Sequence, residues 1–236
     1  MTASAQPNRP RVRSHVARAV GRARHVVLDF DGVMFDVLAA LGPSAREDAV
    51  TALLANREHR PRPMLISLAT FGVHRTLEFL AQYEPDHAAE AEGLVSGLEL
   101  DAALTARPGP GLPRLLAACA ATDRKVAVVS DLSEPAVLAA LHAQALHPHL
   151  GAVAARQDLD LSTFGFDDNI ERAAALLGVA VTDCLVVTGS CRLLHAARNL
   201  GAVGLGCECG RDSRKHLAGA QAAVVAGLAT LTRALT

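Results

Sequence analysis

The sequence predicts an α/β protein, a doubly wound, Rossmann-like parallel sheet with a helical segment inserted after its first strand. Three observations carry this. From residue 111 onward, short apolar runs alternate with helical stretches, the pattern of crossovers that cover a parallel sheet on both faces. Between about 37 and 106 that alternation gives way to helical spacing with no strand signal. With 236 residues, half of them apolar, the chain makes one or two domains whose core needs neither metal nor disulfide.

The elements follow in order. Residues 1–24 hold six Arg and no acid, which leaves the remainder seven units negative against a whole-chain charge of −1. This arm reads as a frayed tail running into a short helix; the alternative is an arm for an anionic partner, without aromatics to support it. Val26–Leu28 form a buried strand punctuated by Gly32. In the helical segment, Ser44 is placed to cap Ala45 onward with Glu47 at the capping-box position. Thr76–Tyr83 and Ala88–Leu100 have helical spacing, and Pro61, Pro63 and Pro85 divide the segment. The turn cluster Pro108–Gly111 closes it, giving a core of 25–36 plus 107–236 and a helical insert of 37–106. Helices are then expected at 111–121, 134–145, 168–177, 193–200 and 217–235, with strands at 125–130, 152–155, 184–188 and 202–206. Crossovers of this length are right-handed, and ligands of such sheets bind beyond the strands' carboxyl ends.

Composition excludes several functions. The near-zero net charge gives no electrostatic case for nucleic acid or a membrane surface. Aromatics are 3 %, with no Trp and one Tyr, so no base-stacking platform is expected. No apolar run reaches the ~20 residues of a membrane span, and the basic start lacks the apolar stretch of a secretory signal. A cytoplasmic protein is expected, its five Cys reading as reduced thiols. Cys191, Cys207 and Cys209 follow two consecutive strands and read as small buried residues; a Zn²⁺ or redox cluster is the alternative, without the usual paired spacing. Cys119 and Cys184 read as core, and His147-Pro148-His149 as a solvated turn. Gly201, Gly204 and Gly206 run through a strand rather than from a strand into a helix, so they are not a dinucleotide loop.

The chemistry concentrates at the first strand. Asp29 and Asp31, two residues apart, put two carboxylates on one side of the strand's carboxyl end. Close carboxylates in a low-dielectric crevice share a proton or hold a cation, and hard oxygen donors favour Mg²⁺. One can act as a nucleophile while the other exchanges a proton with the leaving oxygen.

LDFDGVMFD at 28–36 resembles the first motif of the haloacid dehalogenase-like superfamily, in its phosphatase and phosphomutase branch. VAVVSD at 126–131 resembles the second motif, and ERAAALLGVAVTDCLVV with AARNLGAVGLG resembles the elements around the fourth. The resemblance spans roughly residues 25–236 and implies a helical cap at the insert. It implies Asp29 as the nucleophile forming an aspartyl-phosphate, Asp31 as general acid/base and Ser130 as a hydrogen-bond partner of the phosphoryl group. Backbone amides at Gly32 and Asp131 would cradle its oxygens. Mg²⁺ would be held by Asp29, the Asp31 carbonyl and an acid of the fourth motif, and the substrate would be a small phosphorylated metabolite.

Two motif positions depart from the pattern. Thr188-Gly189-Ser190-Cys191-Arg192-Leu193 puts Gly189 or Ser190 where the metal-binding Asp belongs, and Leu193 at the second acidic position. Phe164 stands about where the third-motif Lys belongs. Of the two Lys present, Lys125 starts a strand at the wrong edge, and Lys215 reaches the crevice only if its loop folds back. Arg156 is the candidate substitute cation, and Asp131, Asp167 or Asp168 the candidate metal acid, although the last two read better as helix N-terminal residues. His59, Arg60, Arg62, His74 and Arg75 are the polar set of the cap. Two functions therefore stand open: a Mg²⁺-dependent phosphatase, and an impaired relative retained as a ligand- or partner-binding module. A third, another hydrolytic or transfer reaction centred near Cys191, ranks last.

Overall fold

The computed structural model describes residues 13–42, 44–55, 72–210 and 212–236. The cap candidates His59, Arg60 and Arg62, with Pro61 and Pro63, lie outside the described residues, as do Arg9 and Arg11.

Six parallel strands form one sheet in the order β3-β2-β1-β4-β5-β6: β1 His25–Asp29, β2 Val126–Ser133, β3 Ala152–Arg156, β4 Cys184–Thr188, β5 Val203–Cys207 and β6 Ala223–Val225. The strand order reverses between β1 and β4, and this doubly wound arrangement is the one expected from the alternating runs. Side-chain alternation along β1 splits the core. Val26 and Leu28 join one apolar layer and Val27 the other, so β1 is buried on both faces.

The helices are α1 Ser14–Gly21, α2 Val37–Leu41, α3 Ala45–Ala55, α4 Val73–Tyr83, α5 Pro85–Thr105, α6 Leu112–Ala121, α7 Glu134–Ala143, α8 Phe166–Leu177, α9 Cys191–Asn199, α10 Arg214–Gly219 and α11 Leu228–Leu235. Between β1 and β2 every described element is a helix, and α3, α4 and α5 share an apolar cluster of their own. Phe35 and Pro108 pair in an isolated bridge, so the chain leaves the core and returns to it at neighbouring points.

Four expectations are corrected. The single helix expected over 217–235 is α10, the short strand β6 and α11, since Ala223–Val225 pairs with β5. β2 runs on to Ser133, with a register shift after Val129 that lifts Ser130 and Asp131 out of the regular ladder. Glu47 makes no capping box; its Oε1 accepts from Val73 N at 3.2 Å, tying α3 to α4. The thiols are not all reduced, because Cys207 and Cys209 form a disulfide in the loop after β5.

Candidate functional site

At the point where the strand order reverses, Asp29 ends β1 beside Thr188, the last residue of β4. The fully buried Thr188 hydroxyl donates to Asp29 Oδ2 at 2.5 Å and accepts from Ser190 N at 2.9 Å, so its single proton is committed to the carboxylate. Both aspartates are nearly buried, Asp29 at 9 % and Asp31 at 5 % exposure, so their charges sit in a crevice where electrostatic interactions are strong. The turn between them and α2 needs glycine, with Gly32 at φ +85°. That turn aims the Asp31 side chain at α2, where Oδ1 accepts from Val37 N and Leu38 N, each at 2.9 Å. Asp31 thus holds the first turn of the inserted helices in place as well as lining the crevice.

Ser130 lies on the other side of β1, one residue beyond the Asp29–Val129 register pair. It is buried, and its Oγ accepts from Leu132 N at 3.0 Å, which leaves the hydroxyl proton to point elsewhere. Asn169 donates to the Ser130 carbonyl at 3.2 Å and to that of Thr163 at 2.9 Å, fixing the bulge from beneath. The structure brings Asp29, Asp31 and Ser130 to the same ends of adjacent strands.

Arg156, expected as a phosphate-binding cation, is engaged in a buried ion network instead. Its side chain is fully buried, ion-paired with Glu92 and with Glu99 Oε2 at 2.5 Å, and its Nε donates to the Asp131 carbonyl at 3.3 Å. Glu99 Oε1 takes Arg46 Nη1 at 2.8 Å, and its Oε2 also accepts from Ser133 N. Glu92 and Glu99, seven residues apart on one face of α5, therefore bind the end of β3 to the inserted helices. Burial pushes the Glu92 carboxyl above its ordinary range, with the Arg156 guanidinium opposing that shift. Asp131 contributes its carbonyl to this network.

Phe164, at the expected Lys position, is buried among Val50, Leu54, Leu77, Leu80 and Val95. A residue of the core thus completes the apolar centre of the inserted helices. Its ring lies 5.9 Å from the Arg156 guanidinium and 6.0 Å from the His74 ring. Enclosure holds His74 below its ordinary pKa of 6.5.

Gly189, one of the two positions expected for the fourth-motif acid, has no room for a side chain. A Cβ on Gly189 would lie 2.7 Å from Gly210 N and closer still to its Cα. Gly210 belongs to the loop bearing the Cys207–Cys209 disulfide, and Asp212 N donates to the Gly189 carbonyl at 2.9 Å. Leu193 is fully buried in the core layer. Among the described residues, no group of three or more His, Cys, Asp or Glu is arranged to hold a metal ion. The residues present therefore do not make the Mg²⁺ site that the resemblance implies: Asp29 and Asp31 remain, Gly189 is closed by backbone, and Ser190 brings no carboxylate. Asp167 and Asp168 sit in the first turn of α8, the structural role preferred from sequence.

Cys191 begins α9, where its N–H donates to Asp212 Oδ2 at 2.6 Å. Desolvation, together with Asp212, holds its thiol above the ordinary range, which disfavours the thiolate a nucleophile requires. Lys215 is exposed on α10, and Lys125 Nζ is held by the Leu177 carbonyl at 2.7 Å. Thr188, Glu92 and Glu99 were missed from sequence; the seven-residue spacing of the two Glu was the one available signal.

Solved structures share this architecture. A haloacid dehalogenase-like family hydrolase from Streptococcus pneumoniae superposes with a TM-score of 0.67 at 11 % identity, over 92 % of this chain and 100 % of that one. A predicted phosphatase from Clostridium acetobutylicum gives 0.68 at 16 %, over 89 % and 97 %. CbbY from Rhodobacter sphaeroides, solved in complex with xylulose-1,5-bisphosphate, gives 0.65 at 18 %, over 88 % and 95 %. No family model and no curated protein matches the sequence. The fold is that of the haloacid dehalogenase-like hydrolases. In this chain Asp29 ends β1 and Asp31 follows it in the turn before α2.

Proposed function

We propose that the chain hydrolyses a small phosphorylated metabolite, slowly and without a bound metal ion, through Asp29. The observation that carries this reading is the Asp29 carboxylate fixed by Thr188 at the point of strand reversal, with Ser130 and Asp31 beside it. The phosphatases and the bisphosphate complex among proteins of this fold support the substrate class.

In this reading a carboxylate oxygen of Asp29 attacks phosphorus. The ester P–O bond breaks, its electron pair leaves with the alcohol oxygen, and Asp31 supplies that oxygen's proton. Asp31 then accepts a proton from water as the water oxygen attacks phosphorus; the bond from phosphorus to the Asp29 oxygen breaks, its electron pair restores the carboxylate, and phosphate leaves. Ser130 donates to a phosphoryl oxygen throughout. Proton work by Asp31 uses Oδ2, or requires the first turn of α2 to release Oδ1. The rate is low because two electrostatic contributions are missing, each worth about a hundred- to thousandfold. Burial of Phe164 and the Gly189–Gly210 contact favour a second reading, binding of the same ligand class without turnover.

Phosphate release from aryl, sugar and nucleotide phosphates, with Mg²⁺ or with chelator, tests both. Slow release that is lost in Asp29→Asn and unchanged by chelator is expected. Release stimulated more than about tenfold by Mg²⁺ overturns metal independence, since that factor needs ~1.4 kcal/mol from an ion. No release from any substrate, with binding retained, selects the second reading.

A further inference from the structure

The opposite end of the sheet holds a feature unrelated to this crevice. A cavity of about 690 Å³ opens at the amino ends of β5 and β6, lined on one side by α1 and on another by the end of α9. Val16 and Val20 seat α1 on the core, which turns His15, Arg18 and Arg22 outward along one face. Arg198, in the last turn of α9, faces the same space. No lining residue is acidic. Among the described residues, none of the three arginines has an ion-pair or hydrogen-bond partner, and all are exposed. The acids that neutralise other arginines of this chain, Glu92, Glu99 and Glu208, are elsewhere.

We propose that this cavity is a second ligand site, for a small molecule bearing two or more linked phosphoryl groups. Three guanidiniums line this concavity and no acid does, so an anion entering it meets only positive charge. Arg18 and Arg22 are one helical turn apart, so their forks are neighbours and can each take a different phosphoryl group bidentately. The lining includes small residues such as Gly204 and Ala222, which leave room for a compact anion. The volume is that of a small-molecule site. A polynucleotide is the poorer occupant, because no lining residue is Phe, Tyr or Trp, the rings that make a stacking platform for successive bases. β5 has five residues, so the site lies about 16 Å of strand away from the Asp29 crevice.

Inorganic tripolyphosphate, titrated calorimetrically into the full chain carrying Asp29→Asn, tests this while leaving the crevice unable to turn over. One equivalent is expected to bind. Arg18→Gln, Arg22→Gln and Arg198→Gln are each expected to weaken it about tenfold, the scale of one charge-assisted contact. Arg114→Gln, an exposed charge removed from α6, is expected to change it less than twofold, with thermal melts verifying that every variant folds. Absence of binding overturns the proposal, as does equal weakening by Arg114→Gln, which marks diffuse surface electrostatics. Competition by a crevice substrate overturns it by relocating the anion to the Asp29 end. A single-stranded RNA oligonucleotide that binds more tightly, and loses affinity through the same three arginines, overturns the small-molecule assignment.

Discussion

The two sides of the crevice have been treated differently. On the β1–β2 side, Asp29, Asp31 and Ser130 keep acid/base and hydrogen-bonding groups at the strand ends, supported by Thr188 and Asn169. On the β3 and β4–β5 sides, each position where cation or metal chemistry was expected is filled by structure. Arg156 belongs to a buried ion network, Phe164 to an apolar cluster, and Gly189 is pressed against Gly210. Polar groups and packing groups can stand side by side at one crevice because they come from different elements of the fold.

The largest effect should come from the rebuilt side. Glu99→Ala leaves the buried Arg46 without its carboxylate and Arg156 with Glu92 alone, which costs about 3–5 kcal/mol. Urea denaturation measures it, and a loss below about 1 kcal/mol, the scale of an exposed ion pair, would make the network decorative. Gly189→Asp should destabilise by about 1–3 kcal/mol through overlap with Gly210, without conferring Mg²⁺ stimulation. A stable variant whose melting temperature rises with Mg²⁺ would erase the distinction between the two sides. On the retained side, Asp31→Ala should cost only about 1 kcal/mol, that of a helix cap, while removing activity.

The smallest effect depends on pH. His74 binds its proton less readily folded than unfolded, so below 6.5 the unfolded chain takes up more protons and stability falls as pH drops through the lower folded value. Thermal melts at pH 7.5 and 5.5 should show part of that loss, and His74→Gln should reduce it. Identical pH slopes in the two proteins would mean that the pocket formed by Phe164 and its neighbours admits the charged ring freely.

The sheet was legible in the sequence wherever a strand is a continuous apolar run, as in β1, β2, β4 and β5. β6 was not, because Ala223–Val225 is three residues long inside an Ala-rich stretch whose spacing also suits a helix. Asp29, Asp31 and Ser130 were legible because local order places them: each follows apolar strand residues closely. The ion network of Arg156 was not legible because its partners Glu92 and Glu99 lie more than fifty residues away, and strand-end position alone leaves the facing element unspecified. The loss of the fourth-motif acid could be read from Gly189, but its closure by Gly210 is a contact between two loops that no local pattern announces.

That loop contact also has a mechanical consequence. Gly189 and Gly210 meet backbone to backbone, and Gly210 follows the Cys207–Cys209 disulfide directly. Thr188, whose hydroxyl holds Asp29, is the residue before Gly189. The two glycines therefore act as a clasp that fastens the end of β4 to a cross-linked loop outside the crevice.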